Sequence, residues 1–211
     1  MPDTALLPRS VLHDRLRPGR QGAATGPAGV VIREKTGLTL AAVAALRGRD
    51  GAVIAALTAL FGVSPPTRLR LVRDEGLAVI GTGPGQWLIA VDPMPDGSRD
   101  LRHGDLTTTL RDRLGGLAAV TDQSDAWVVF DLAGARVRDL LARCVAIDLD
   151  PRRFEPGDVA LTRAGPLDVR LWHGPKPGRY TLSCFRSYGA YLARWLTDSA
   201  LPFGLELVET R

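Results

Sequence analysis

LAAVTDQSDAWVVFDLAG, Leu117 to Gly134, carries the clearest strand and turn signals in the chain. Leu117 to Val120 is apolar, follows Gly115-Gly116 and predicts a short strand. Asp122, Gln123, Ser124 and Asp125 supply turn chemistry, because short polar side chains hydrogen-bond their own backbone. Trp127 to Leu132 predicts a second strand, with Val128, Phe130 and Leu132 on one face and Trp127, Val129 and Asp131 on the other. The expected unit is a hairpin closed by a tight polar turn. Gly134 ends it, and a helix over Ala135 to Ala146 follows. Val137, Leu140, Leu141, Cys144 and Val145 form its apolar stripe, and Asp139 and Arg143 are spaced for an i,i+4 pair.

Similar units flank this one. Upstream, strands are expected at Val30 to Arg33 and Leu38 to Leu46. A helix capped by Asp50 runs to Phe61, closed by Gly62 and Ser64-Pro65-Pro66. Strands at Arg68 to Val72, Leu77 to Ile80 and Gln86 to Val91 come next. A polar loop over Asp92 to Gly104 leads to a helix capped by Asp105, with Leu106, Leu110 and Leu114 on one side. Downstream, Phe154 is expected to plug into the core from a loop. Asp158 to Thr162 and Leu167 to Trp172 read as a hairpin, and Arg179 to Phe185 as a strand. Ser187 caps a last helix whose stripe is Tyr188, Tyr191, Leu192, Trp195 and Leu196. Leu205 to Val208 is a final extended piece. The order predicts an α+β fold with mixed or antiparallel sheets and helices packed on them. Two related halves are expected, 30–116 and 117–211. Residues 1–29 hold four prolines and four of the glycines and read as an extended N-terminal arm. Leu6, Leu7, Val11, Leu12 and Leu16 make it too apolar for a purely solvated tail, so ordering on a partner is as natural a reading as fraying.

The net charge of +4 is almost all arginine, Lys35 and Lys176 being the only lysines. The arginines are dispersed and aromatics make up only 6% of the chain, so a solvated surface with ion pairs is favoured over a nucleic-acid groove. Arginine equally suits planar contacts between proteins. Cys144 and Cys184 sit in apolar stretches of separate elements and are expected as buried free thiols, which points to a reducing, cytoplasmic compartment. The first residues lack an uninterrupted apolar signal core, and no run approaches the ~20 residues of a membrane span, so neither secretion nor membrane insertion is expected.

The candidate chemistry is thin. Gly81, Gly83 and Gly85 lack the following helix that a dinucleotide fingerprint requires, so a structural turn is favoured. His13, His103 and His173 fall in predicted loops without a second ligand at metal spacing and read as surface residues. Asp122 and Asp125 have ordinary turn roles. Tyr188, Tyr191 and Trp195 match a buried helix stripe better than a ligand box. No catalytic, cofactor-binding or metal residue is nominated. A chain of this size with a good core and no visible chemistry reads as a partner of something else.

Several strings, in order and at their spacing, resemble the gamma subunit of heterotetrameric sarcosine oxidase. They are Leu46-Arg47-Gly48, GPGQWLI at Gly83 to Ile89, VTDQSDAWVVFDLAG at Val120 to Gly134 and RDLLARCVAIDLD at Arg138 to Asp150. FEPGDVALT at Phe154 to Thr162, RSYGAYLARWL at Arg186 to Leu196 and the late Pro202-Phe203-Gly204 complete the set. One departure is visible: Gln86 stands where the family usually has an acidic residue before the tryptophan, which leaves room for a related secondary-amine oxidase or dehydrogenase. The resemblance implies a fold similar to the folate-binding aminomethyltransferase domain. It implies an assembly that oxidatively demethylates sarcosine to glycine, yielding hydrogen peroxide and formaldehyde, or 5,10-methylenetetrahydrofolate when tetrahydrofolate is supplied. FAD, FMN, NAD and the folate site would belong to the alpha and beta subunits and zinc to the delta subunit, with no cofactor in this chain. A stand-alone folate-binding module is the alternative.

Overall fold

The computed structural model describes residues 10, 12, 17–23, 25–93 and 105–208. Two sheets stack face to face, and each carries helices on its outer side. The strands are β1 (Gly19–Gln21), β2 (Val30–Lys35), β3 (Thr39–Ala45), β4 (Leu71–Asp74), β5 (Leu77–Gly83) and β6 (Gln86–Val91). They continue with β7 (Ala118–Asp122), β8 (Trp127–Ala133), β9 (Val159–Ala164), β10 (Leu167–His173), β11 (Arg179–Phe185) and β12 (Leu205–Val208). The helices are α1 (Asp50–Phe61), α2 (Asp105–Arg113), α3 (Val137–Cys144) and α4 (Gly189–Ala200). The seven-stranded sheet has the order β1-β12-β2-β8-β11-β10-β9, and the five-stranded sheet β4-β5-β6-β3-β7. All described pairings are antiparallel except β12 with β2. The mixed α+β architecture matches the expectation from the sequence.

Strand alternation sorts the apolar residues into three layers. Val128, Phe130 and Leu132 of β8 face α3 and α4, meeting Leu140, Leu141, Leu192 and Leu196 in the largest core. Ala41, Val43, Val79 and Ile89 face α1 and α2, where Val53, Leu57, Leu106 and Leu110 are fully buried. Between the sheets, Leu40, Ile80 and Leu88 meet Trp127, Val129 and Trp172. The two faces predicted for β8 are therefore both buried, against different partners.

The expected hairpin does not form. β7 pairs with β3 in the five-stranded sheet, whereas β8 pairs with β2 and β11 in the other. The polar segment between them carries the chain from one sheet to the other. Its turn chemistry is as predicted: Ser124 N–H donates to Asp122 Oδ1 at 2.9 Å. Ser124 Oγ then accepts from Leu40 N–H at 3.0 Å, and Gln123 N–H donates to the Leu40 carbonyl at 2.8 Å, extending the β3 ladder beyond β7. For the same reason the sheets do not divide the chain at Gly116, since β2 joins the later strands and β7 the earlier ones.

Four further expectations are corrected. Asp50 is the first helical residue of α1 and Arg49 is its N-cap; the aspartate acts through the helix dipole instead. Asp139 pairs with Arg136 one turn earlier, and Arg143 lies over the Phe203 ring. Ser187 does not cap α4, because Arg186–Tyr188 forms a 3₁₀ turn ahead of it. Tyr188 ends that turn at 52% exposure, and Tyr191, one residue around the helix from the buried Leu192 and Leu196, is 47% exposed. Most of residues 1–16 lies outside the described residues, His13, Leu6, Leu7, Val11 and Leu16 among them. Among the described residues of the arm, β1 pairs with β12 and Leu12 is buried in the main core.

Replacing Ser124 by alanine strips the Leu40 N–H of its partner at the crossing. A loss of about 1–2 kcal/mol in urea unfolding is expected, with Ser124→Thr milder than Ser124→Ala.

Candidate functional site

Two concavities stand out. The first opens between the sheets. Asp92 sits at its rim, with Lys35 Nζ 2.6 Å from one carboxylate oxygen and Arg73 paired to the other. Behind this ion cluster Leu40, Ile80, Leu88, Trp127 and Trp172 close in, leaving about 20 Å³. That volume suits one water molecule. Its polar lining is Thr181, which donates to Asp131 Oδ1 at 2.8 Å, and the buried Ser183 hydroxyl, which has no partner among the described residues. The second is an open groove of about 320 Å³ along α4, lined by Arg143, Tyr191, Arg194, Trp195, Asp198 and Ser199. Its one carboxylate, Asp198, is 3.4 Å from Arg194 Nε. In each concavity the carboxylate is already paired with a cation of the same chain, Asp92 with Lys35 and Arg73 and Asp198 with Arg194.

The residues weighed in the sequence are scattered. Gly81 and Gly83 lie within β5, and Pro84-Gly85 makes the turn into β6. A side chain at Gly81 would come within 2.1 Å of the Arg68 carbonyl, and one at Gly85, whose φ is +64°, within 2.2 Å of Asp50 Oδ1. Close backbone approach explains Gly81, and a left-handed φ beside the Asp50 side chain explains Gly85, without a phosphate. Asp122 serves the sheet crossing. His103 lies outside the described residues.

His173 is not a surface residue. It ends β10 at 4% exposure, stacks on Tyr180 with ring centroids 4.4 Å apart, and places Nδ1 3.1 Å from the Phe154 carbonyl. Its Nε2 has no partner among the described residues. Burial holds its pKa below the ordinary value, outweighing the bond to Phe154. Phe154 plugs into the core as expected and stacks beside it.

Cys144 and Cys184 are both buried and free. Burial raises both thiols, Cys184 to about 12, so neither is a ready thiolate nucleophile. Glu34 is 7% exposed; burial raises its carboxyl, against the bond from Ser10 and the charge of Arg186. Among the described residues no three His, Cys, Asp or Glu side chains cluster as metal ligands, and no helix is long and apolar enough to cross a membrane. Many arginines are spent on ion pairs, including Arg70 with Asp158 and Arg73 with Asp92.

A group that the sequence reading missed lies at the open end of the inter-sheet layer. Arg170 holds its guanidinium 3.8 Å over the Trp127 ring, and Phe185 stacks on the same indole at 4.4 Å. Trp127 Nε1 donates to Gln123 Oε1 at 3.0 Å, fixing the ring against the sheet crossing. The signal available was the charged Arg170 on the face of β10 shared with Trp172.

The fold is that of the aminomethyltransferases. The chain superposes on glycine cleavage system aminomethyltransferase T from Bartonella henselae with a TM-score of 0.57 and 14% identity, over 86% of this chain and 48% of that one. Within that fold the identity is narrower. The model of the sarcosine oxidase gamma subunit family matches residues 47–201, and the chain belongs to that family. Sarcosine oxidase subunit gamma of Arthrobacter sp is 30% identical over 185 residues, covering 87% of this chain and 85% of that protein. The Corynebacterium sp. (strain P-1) subunit is 29% identical over 190 residues, covering 89% and 87%. A chain of the heterotetrameric sarcosine oxidase from Corynebacterium sp. U-96, solved with pyrrole 2-carboxylate, superposes with a TM-score of 0.71 and 26% identity, over 87% of this chain and 88% of that one. The resemblance read from the sequence motifs holds.

Burial lowers the pKa of His173 in the fold, so near the ordinary histidine value of 6.5 the unfolded chain binds more protons than the native one. Its contribution to stability is present above that pH and is lost as pH falls. His173→Phe keeps a ring in the stack and removes the proton site. Urea midpoints measured on either side of pH 6.5 should drop more steeply for the native chain than for the variant; parallel profiles would contradict this.

Proposed function

We propose that this chain is a non-catalytic gamma subunit that supports a heterotetrameric sarcosine oxidase. In this reading the assembly oxidatively demethylates sarcosine to glycine, releasing hydrogen peroxide with formaldehyde or 5,10-methylenetetrahydrofolate. The alpha and beta subunits carry FAD, FMN, NAD and tetrahydrofolate, the delta subunit carries zinc, and all work in the cytoplasm. The observation that carries the non-catalytic role is the filled inter-sheet space. Small-molecule sites are commonly of ~300–1,000 Å³ with a few convergent polar groups. Here Trp127, Trp172 and three aliphatic side chains leave about 20 Å³. Two buried thiols held in their protonated state favour a reducing compartment.

The shared fold with aminomethyltransferase T favours a second reading, a folate-binding module in its own right. The narrowness of the inter-sheet cleft weighs against it. Gln86 is exposed at the start of β6, where a departure from the family pattern alters surface contacts and leaves the core untouched, so a related secondary-amine oxidase stays compatible with this fold.

Purified alone, the chain should be colourless, lack sarcosine-dependent peroxide production and give no calorimetric heat with tetrahydrofolate. Co-produced with the other three chains it should elute with them as one yellow, active species. Flavin bound to the isolated chain would overturn the non-catalytic role, and tetrahydrofolate binding would favour the second reading.

A further inference from the structure

The inner face of the seven-stranded sheet is only half covered. One row of residues crosses four strands in register: Val129 on β8, Ser183 on β11, Arg170 on β10 and Leu161 on β9. At one end Val129 and Ser183 are buried, at 4% and 1% exposure; at the other Leu161 is 50% exposed. The five-stranded sheet covers the first end and stops short of the second. In the adjacent row Trp127 faces Phe185, which is 49% exposed. The open part of the face thus presents Phe185 and Leu161 with Arg170 between them.

Arg170 is the unusual member. Its guanidinium is partly desolvated, which works against its charge, and its one described contact is the indole of Trp127. Among the described residues no carboxylate is within ion-pair distance of it. Asp168, on the same face of β10, stands opposite Arg163 of β9. Stacking on an indole offsets part of the cost of desolvating a guanidinium. It also holds the planar fork still, which is the preparation that bidentate binding of a carboxylate needs. Exposed aromatic rings beside an arginine are the composition of interface anchor points.

We propose that this face is the seat of a partner subunit segment that presents a carboxylate to Arg170 with apolar side chains on either side. The inference rests on the assembly reading above and says where one contact falls. A polypeptide segment suits the face because β9 and β11 lie two strands apart, roughly 10 Å; a small free acid would satisfy Arg170 and leave Phe185 and Leu161 wet. Docking is on the face and not by strand addition at the β9 edge. That edge is already taken at both ends, by a bridge from Val145 to Ala164 and by the bond from Val159 N–H to the Leu69 carbonyl.

The test uses the full chain co-produced with the other three subunits, captured through a tag on this one. Arg170→Glu, and separately the double variant Leu161→Ser with Phe185→Ser, should weaken co-assembly by about tenfold or more. Arg170→Lys should fall between these and the native chain, because a single ammonium loses the bidentate geometry. Leu161→Ser alone, at a half-exposed site, controls for folding and should melt like the native chain while assembling more weakly. Native-like assembly by all of these variants would overturn the proposed face and leave the assembly reading intact. If the native chain itself captures no partner, both fall together. Stabilisation of the isolated chain by millimolar glutarate, with assembly untouched by Arg170→Glu, would also overturn the proposal in favour of a small-acid site.

Discussion

Strand β8 has no solvent side at its middle. Phe130 and Leu132 are at 0% and 1% exposure against α3 and α4, and Trp127 and Val129 are buried against the second sheet. A strand loaded on both faces must have a layer on each, and this demand generates the four-layer stack. The order of events in the chain then follows. β7 completes the five-stranded sheet, Ser124 and Gln123 lock the crossing to Leu40, and β8 begins with Trp127 already tethered to Gln123. The two tryptophans that weld the sheets together also occupy the space between them. The device that holds the fold is therefore what leaves so little room for a ligand.

Much of this was legible locally. β6 and β11 run as the apolar residues predicted, and the α3 stripe is buried at every position named. What the sequence did not disclose was which sheet a strand joins. Asp122 to Asp125 has the same turn chemistry whether the chain folds back or crosses over, and the choice is made by distant partners, β3 for β7 and β2 with β11 for β8. The same limit explains α4. Helical spacing groups Tyr188 and Tyr191 with Leu192, but Tyr188 belongs to a 3₁₀ turn ahead of the helix and Tyr191 sits at the margin of a buried stripe centred on Leu192 and Leu196. His173 was misread because a strand end looks like a loop until Phe154 and Tyr180 close over it.

The candidate docking face was hidden for a related reason. Asp168 and Arg170 alternate with Val169 and Leu171, the pattern of a strand with one wet face. That reading holds for Asp168. It fails for Arg170 because the supposedly wet face is roofed from Trp172 onward by the other sheet, and the roof ends near the guanidinium. A residue at such a margin is neither solvated like a surface arginine nor paired like a buried one. Periodicity assigns faces, but it does not report how far along a face a covering layer extends.

Energetics limits what this face does. Burying the remaining exposed parts of Phe185 and Leu161 is worth on the order of 1 kcal/mol each, about half of a full side-chain burial. A charge-assisted pair at Arg170 adds on the order of 2 kcal/mol where its partner is also hydrogen-bonded. Association costs at least ~4 kcal/mol in lost freedom. Three residues therefore reach break-even at most, and a lasting assembly needs further area. Tyr188 and Tyr191 follow Phe185 in the chain and are also half-exposed, so more exposed aromatic surface lies near the same strand end. The Arg170 face sets register, since a misplaced partner would leave its carboxylate unpaired against aromatic rings, while the neighbouring surface supplies the bulk of the burial.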